Sequence, residues 1–187
     1  MTISLDSLFL FYTFLMIGQL REISYCITHI DDKENSAEKA VEKCVLQYNT
    51  LLKCRSNLEK IYGPIILAMI ICNAVMLCTL IYQLTQMKTI SILKGANFFA
   101  FVVTKLLQTF IYSWCGTSLT KESEDYRIAI YSANWYGDKR LMKAIIIMLK
   151  QKPLVLTACN FSNVSIDIFT KILNTTISYY FLLKTLA

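Results

Sequence analysis

Asp167, Lys171, Asn174, Ser178, Leu182 and Thr185 follow one another at steps of four, three, four, four and three residues. At about 3.6 residues per turn this spacing puts all six on one face of a helix. Phe169, Ile172, Leu173, Tyr180, Phe181 and Leu183 are expected on the other side, in a stretch apolar enough for a membrane. Polar groups inside a bilayer are expensive, so a row of them should face water or partner helices rather than lipid. A carboxylate, an amide and hydroxyls in a line offer oxygens to a passing ion, so the chemistry of this face is ion passage rather than bond breaking. The plainer reading of the same stripe is a helix contact, with Ser, Thr and Asn bonding across helices. Asp167 and Lys171 are four residues apart and are expected to neutralise each other near the cytoplasmic mouth.

Other chemistries find little to work with. The chain holds no Walker-type loop, no GxGxxG, no His-Glu-x-x-His pair and no nucleophile elbow. His29 is the single histidine and has no second ligand at metal-binding spacing, so neither a metal nor histidine acid–base chemistry is expected. Seven cysteines, at 26, 44, 54, 72, 78, 115 and 159, form no CxxC pair and read as reduced packing residues. No cofactor and no catalytic residue is expected, and the chain reads as a non-enzyme. Lys105 stands alone in an apolar stretch. It snorkels, pairs with another group or faces a polar cavity.

The elements that must position these residues are membrane helices. The 187-residue chain is 55% hydrophobic and 17% charged, with a mean hydropathy of +0.46. Soluble domains carry about 25% charged residues. Residues 61–82 contain no charge, 3–20 contain only Asp6, and 96–115 only Lys105. A fourth stretch covers 163–186, and each is long enough for a hydrocarbon core of ~30 Å. Asp6 ahead of the first apolar run, without a basic leader, marks that run as a retained span rather than a signal peptide. The net charge of +6 does not make a nucleic-acid surface, because the basic residues partition by loop. Residues 21–60 hold seven Lys and Arg, 121–152 another seven, and 83–97 only two. The positive-inside rule then puts the two basic segments in the cytosol and both chain ends outside.

Neither basic segment reads as a loose loop. Val41, Cys44, Val45, Tyr48, Leu51, Leu52, Leu58, Ile61 and Tyr62 recur at helical spacing. A helix from 35 to 82, perturbed at Gly63-Pro64, would be ~70 Å long. Residues 119–131 continue the third span, 134–137 (Asn-Trp-Tyr-Gly) turn, and 141–149 form a helix too short to cross. The expected class is therefore an all-α membrane protein of four transmembrane helices with long cytosolic helical extensions. Its segments are a first span at 1–30, a cytosolic helix at 31–60 and a second span at 61–84. An outer loop at 85–95, a third span at 96–116, cytosolic helices at 117–152 and a terminal helix at 153–187 follow. The cytosolic apolar stripes need partners, and Tyr48, Leu51, Leu52, Trp135, Ile145 and Leu149 are the candidate subunit contacts. Glycosylation patterns at Asn160, Asn163 and Asn174 fall at or inside the last helix and are given no weight.

IYSWCGTSL, AIYSANWY, QKPLVLTAC and SYYFLLKTL, in this order and at these distances, resemble the C-terminal region of insect odorant receptors. The likeness extends to GQLREI at the end of the first span and KIYGPIILAMI at the start of the second. It implies the fourth to seventh spans of a seven-span receptor, hence a shortened form or fragment, in the plasma membrane with its C-terminus extracellular. It implies a subunit of an odorant-gated cation channel of olfactory neurons, in a hetero-tetramer with an odorant coreceptor, surrounded by lipid and opened by a small volatile organic ligand. The cytosolic helices would form the subunit anchor, and the terminal helix would line the pore, with Leu182, Thr185 and Leu186 at the gate. The family's pocket draws on the second, third, fourth and sixth spans. Lys105 stands where the family is usually apolar, which makes it the pocket candidate. A four-span membrane adaptor, or a gustatory receptor-like subunit, remains the alternative.

Overall fold

Residues 34–60 of the first basic segment and the charge-free stretch after them are one continuous helix. The computed structural model describes residues 2–29, 34–86, 92–133, 139–151, 153–159 and 162–186. Its elements are α1 (Thr2–Thr28), α2 (Glu34–Gln86), α3 (Ile92–Ser132), α4 (Lys139–Leu149), β1 (Thr157–Ala158), β2 (Ser162–Asn163) and α5 (Ile166–Leu186). The 53 residues of α2 reach ~80 Å at about 1.5 Å per residue. Pro64 lies inside this helix and leaves the carbonyl one turn back without its usual donor. Burial of Tyr62 and Ile66 on either side carries the helix across that gap. Of the stretch expected as the outer loop, 92–95 already belong to α3.

Cross-helix contacts fix the directions. Asp6 meets Gln108 and Tyr112, Phe14 lies 5.9 Å from Trp114, and Arg21 pairs with Glu122 at 2.9 Å, so α1 and α3 run parallel. Tyr48 stacks on Tyr126 at 4.9 Å while Asn73 bonds Thr109, so α2 runs opposite to α3. The Arg21–Glu122 pair also brings the two basic segments to one end of the molecule. There the lower half of α2, the end of α3 and α4 enclose Cys44, Tyr48, Leu51, Leu119, Tyr126, Ile130, Ile145 and Met148. Two helical stretches, Lys39–Met76 and Gly95–Ser132, are long and apolar enough by length and composition to cross a membrane.

Among the described residues the fold departs from an all-helical reading after α4. Residues 153–158 and 162–164, expected within the terminal helix, are not helical and carry a small antiparallel pairing of Thr157 with Asn163 and Ala158 with Ser162. Leu154, Leu156 and Ala158 are buried while Val155 and Thr157 are half-buried, the two-residue alternation of a strand. Pro153 disfavours helix in the residue before it and separates this strand from α4. Cys159 sits at φ +53°, in the left-handed region that few non-glycine residues occupy.

Candidate functional site

The terminal helix is seated by the hairpin before it is lined by polar groups. Glu59 Oε1 accepts from the Thr157 backbone N–H at 2.7 Å, from the Thr157 hydroxyl at 2.7 Å and from Arg55 Nη2 at 3.0 Å. Ser123 Oγ accepts from the Leu154 N–H at 2.8 Å, and Thr117 Oγ1 accepts from the Ile166 N–H at 3.0 Å. The last bond satisfies one of the free N–H groups at the start of α5, and Asp167 adds a carboxylate to that positive end. Gly116 allows the close approach: a Cβ there would lie 2.9 Å from the Val164 carbonyl carbon and closer still to its oxygen. Glu59, Ser123, Thr117 and Thr157, from α2, α3 and the hairpin, carry no local pattern that marks them in the sequence.

From this seat α5 runs antiparallel to α3, with Phe169 edge-on to Phe110 at 5.5 Å. Ile168, Phe169, Ile172 and Leu173 turn inward and are half-buried. Asp167, Lys171, Asn174, Ser178 and Thr185 are exposed, on the face turned away from the chain's own helices. The Ser178 hydroxyl donates to the Asn174 carbonyl at 2.9 Å and the neighbouring Thr175 hydroxyl to Lys171 O at 2.8 Å, leaving oxygen lone pairs outward. Two expectations need correction. Phe181 is 60% exposed rather than opposite the stripe, because it lies only about 60° from Ser178 and about 40° from Thr185 on the helix wheel. The ion pairs among the described residues are Arg21–Glu122 and Arg55–Glu59, so Asp167 and Lys171 are not joined. An exposed pair of that spacing gains too little, ~0.3–0.5 kcal/mol, to fix two mobile side chains. The side chains of Leu182 and Leu186 lie outside those described.

A second polar cluster sits at the opposite end of α3 from the basic segments. Tyr112 Oη donates to Asp6 Oδ1 at 2.6 Å, and Gln108 Nε2 donates to Asp6 Oδ2 at 2.9 Å. The Gln108 carbonyl oxygen accepts from Lys105 Nζ at 3.4 Å, so one amide bridges the two lone charges of the apolar stretches. Beside them Asn73 Nδ2 donates to Thr109 Oγ1 at 2.7 Å, tying α2 to α3. Asp6, Lys105, Gln108 and Tyr112, with Leu10, Thr104, Leu107 and Ile111, line an open cleft of about 440 Å³ between α1 and α3. Asp6 and Lys105 were each visible in sequence as isolated charges, and the missing step was to pair them.

The candidate subunit contacts fare differently. Tyr48, Leu51 and Ile145 are buried within the chain, and Leu52 and Leu149 pack against that core. Tyr48, Leu51 and Ile145 thus spend their side chains joining α2, α3 and α4 of one chain, while Leu52 and Leu149 keep part of theirs exposed. Trp135 lies outside the described residues. Among the described residues of the two basic segments, Leu46, Ile128, Tyr131, Met142, Ile146 and Ile147 are exposed large apolar side chains. Burial pushes the Cys44 thiol up to about 11 and raises the Tyr48 and Tyr126 hydroxyls, so this core holds its groups neutral.

A profile described as 7tm Odorant receptor matches residues 1–177. The chain belongs to this family. Among its relatives, odorant receptor 13a of Drosophila melanogaster is 28% identical over 159 residues, covering 78% of this chain and 38% of that protein. The odorant receptor coreceptor of Anopheles gambiae is 25% identical over 157 residues, covering 82% of this chain and 33% of that one. The insect olfactory receptor OR5 from Machilis hrabei superposes over 100% of this chain and 48% of its own, with a TM-score of 0.85 and 12% identity. Its complex with eugenol gives a TM-score of 0.79 over 94% of this chain. The chain thus spans a third to a half of the length of the proteins it matches. Family and fold together make this a mostly helical membrane protein of the odorant receptor class.

Proposed function

We propose that this odorant receptor family chain acts as a subunit of an odorant-gated cation channel. The reading corresponds to the fourth to seventh spans of a seven-span receptor in the plasma membrane, with both described ends outside and the basic segments in the cytosol. α1, α2, α3 and α5 are its four spans, and it assigns no catalytic step to any residue. The observation that carries it is the outward polar face of α5, in a chain whose own helices leave that face uncovered. In a hetero-tetramer with a coreceptor the face closes around a central path. Asp167 favours cations at the inner mouth, Asn174 and Ser178 offer oxygens, and Leu182 and Leu186 narrow the outer end by dewetting. The outward apolar residues Ile146 and Ile147 meet a neighbouring subunit, and a small volatile ligand occupies the cleft beside Lys105.

The test is a current recording from the full subunit carrying this segment, co-expressed with a coreceptor. Ser178→Lys should cut cation current about tenfold or more, because a fixed positive charge repels the ion, while Ser178→Asp preserves or raises it. Phe169→Leu, on the inward face, should leave selectivity unchanged. If both Ser178 charges give the same wild-type current at equal surface expression, α5 is a packing helix and the adaptor alternative stands.

A further inference from the structure

We infer that the cleft between α1 and α3 selects neutral volatile molecules bearing one hydrogen-bond-accepting carbonyl, such as aliphatic aldehydes, ketones and esters, through Lys105. The inference rests on the channel-subunit reading and deepens it by naming the ligand class. Asp6 is already answered, since each of its carboxylate oxygens accepts a hydrogen bond, one from Tyr112 and one from Gln108. An amine ligand could still reach a remaining lone pair of Asp6, but it would set a second positive charge beside Lys105 and break the charge balance of the cleft. Lys105 is not answered to the same degree. Its ammonium has three N–H donors and makes a long 3.4 Å hydrogen bond to Gln108, with the Phe101 ring 5.9 Å away.

Charge balance then chooses among acceptors. Asp6 and Lys105 offset one another across the Gln108 amide, so a carboxylate ligand would leave the cleft with an excess negative charge in a low-dielectric setting. A neutral carbonyl accepts from Lys105 without disturbing that balance. Leu10, Leu107 and Ile111 supply the apolar wall for its alkyl chain. An alkane would fill the same wall and leave the ammonium donors unmet, which makes the polar end the discriminating one.

The experiment compares octanal and 2-octanone with octane, octylamine and octanoate, on the full subunit with a coreceptor. Currents are read as dose–response curves, and binding is read separately as displacement of a fluorescent apolar probe from purified protein. The carbonyl compounds should act at about tenfold lower concentration than the other three. Lys105→Met should remove that advantage and leave the alkane response in place, and Lys105→Arg should restore much of it. Preference for octylamine or octanoate, or an unchanged carbonyl advantage in Lys105→Met at equal surface expression, overturns the inference while leaving the channel reading intact. Lys105-dependent carbonyl binding without any current supports the inference and sinks the channel reading instead.

Discussion

Glu59 shows how much a single side chain can hold when its partners converge. One carboxylate oxygen accepts three hydrogen bonds, two of them from Thr157, and the other lies 3.0 Å from Arg55. Removing it strands a backbone N–H and a guanidinium that are both partly buried, a loss of about 1–3 kcal/mol. Glu59→Ala should therefore lower the melting temperature of the detergent-purified chain by roughly 3–10 °C. Glu59→Gln keeps one acceptor for Thr157 and should fall between the two. Equal melting temperatures for wild type and Glu59→Ala would show that the hairpin is seated by apolar burial of Leu154 and Leu156 alone. None of this was legible in the sequence, where Glu59 is one more charge on an amphipathic helix. Its partner lies 98 residues away, and no local period reports such a distance.

At the scale of elements, periodicity was informative where a helix had one buried stripe and silent where every residue was apolar. The N-terminal half of α2 is legible through Val41, Cys44, Tyr48 and Leu51, all buried at the predicted spacing. PLVLTA did not, because a strand buried on one side and half-buried on the other reads as an undivided apolar run. A stripe also identifies a buried face without saying which protein buries it. The stripe of α2 is consumed inside the subunit, and part of the surplus apolar surface lies on α4, where Ile147 is 63% exposed. Two double substitutions separate these roles. Leu51→Asp with Leu52→Asp should collapse the subunit itself, read as aggregation in size-exclusion chromatography. Ile146→Asp with Ile147→Asp should leave a folded subunit that no longer co-purifies with the coreceptor. Undiminished co-purification of the α4 variant would move the contact to Leu46, Ile128 and Tyr131.

At the scale of the whole molecule, charge and packing agree on one polarity. α1 and α3 run parallel with α2 and α5 against them, and the Arg21–Glu122 pair gathers the basic segments at one end. Fourteen Lys and Arg lie in those segments against two in the connection at the other end, a split that the positive-inside rule turns into an orientation. Two cysteines in α2 make the orientation measurable. Cys54 is exposed and Cys44 is buried, with its thiol pushed up to about 11 and so protonated and slow to alkylate at neutral pH. A membrane-impermeant maleimide should label neither residue in intact cells. After permeabilisation Cys54 should react at least about tenfold faster than Cys44, because thiolate fraction and access both favour it. Labelling of Cys54 in intact cells would invert the molecule and put the polar face of α5 the other way up, with Asp167 at the outer mouth. Fast labelling of Cys44 after permeabilisation would keep the orientation but open the buried core that joins α2 to α3 and α4.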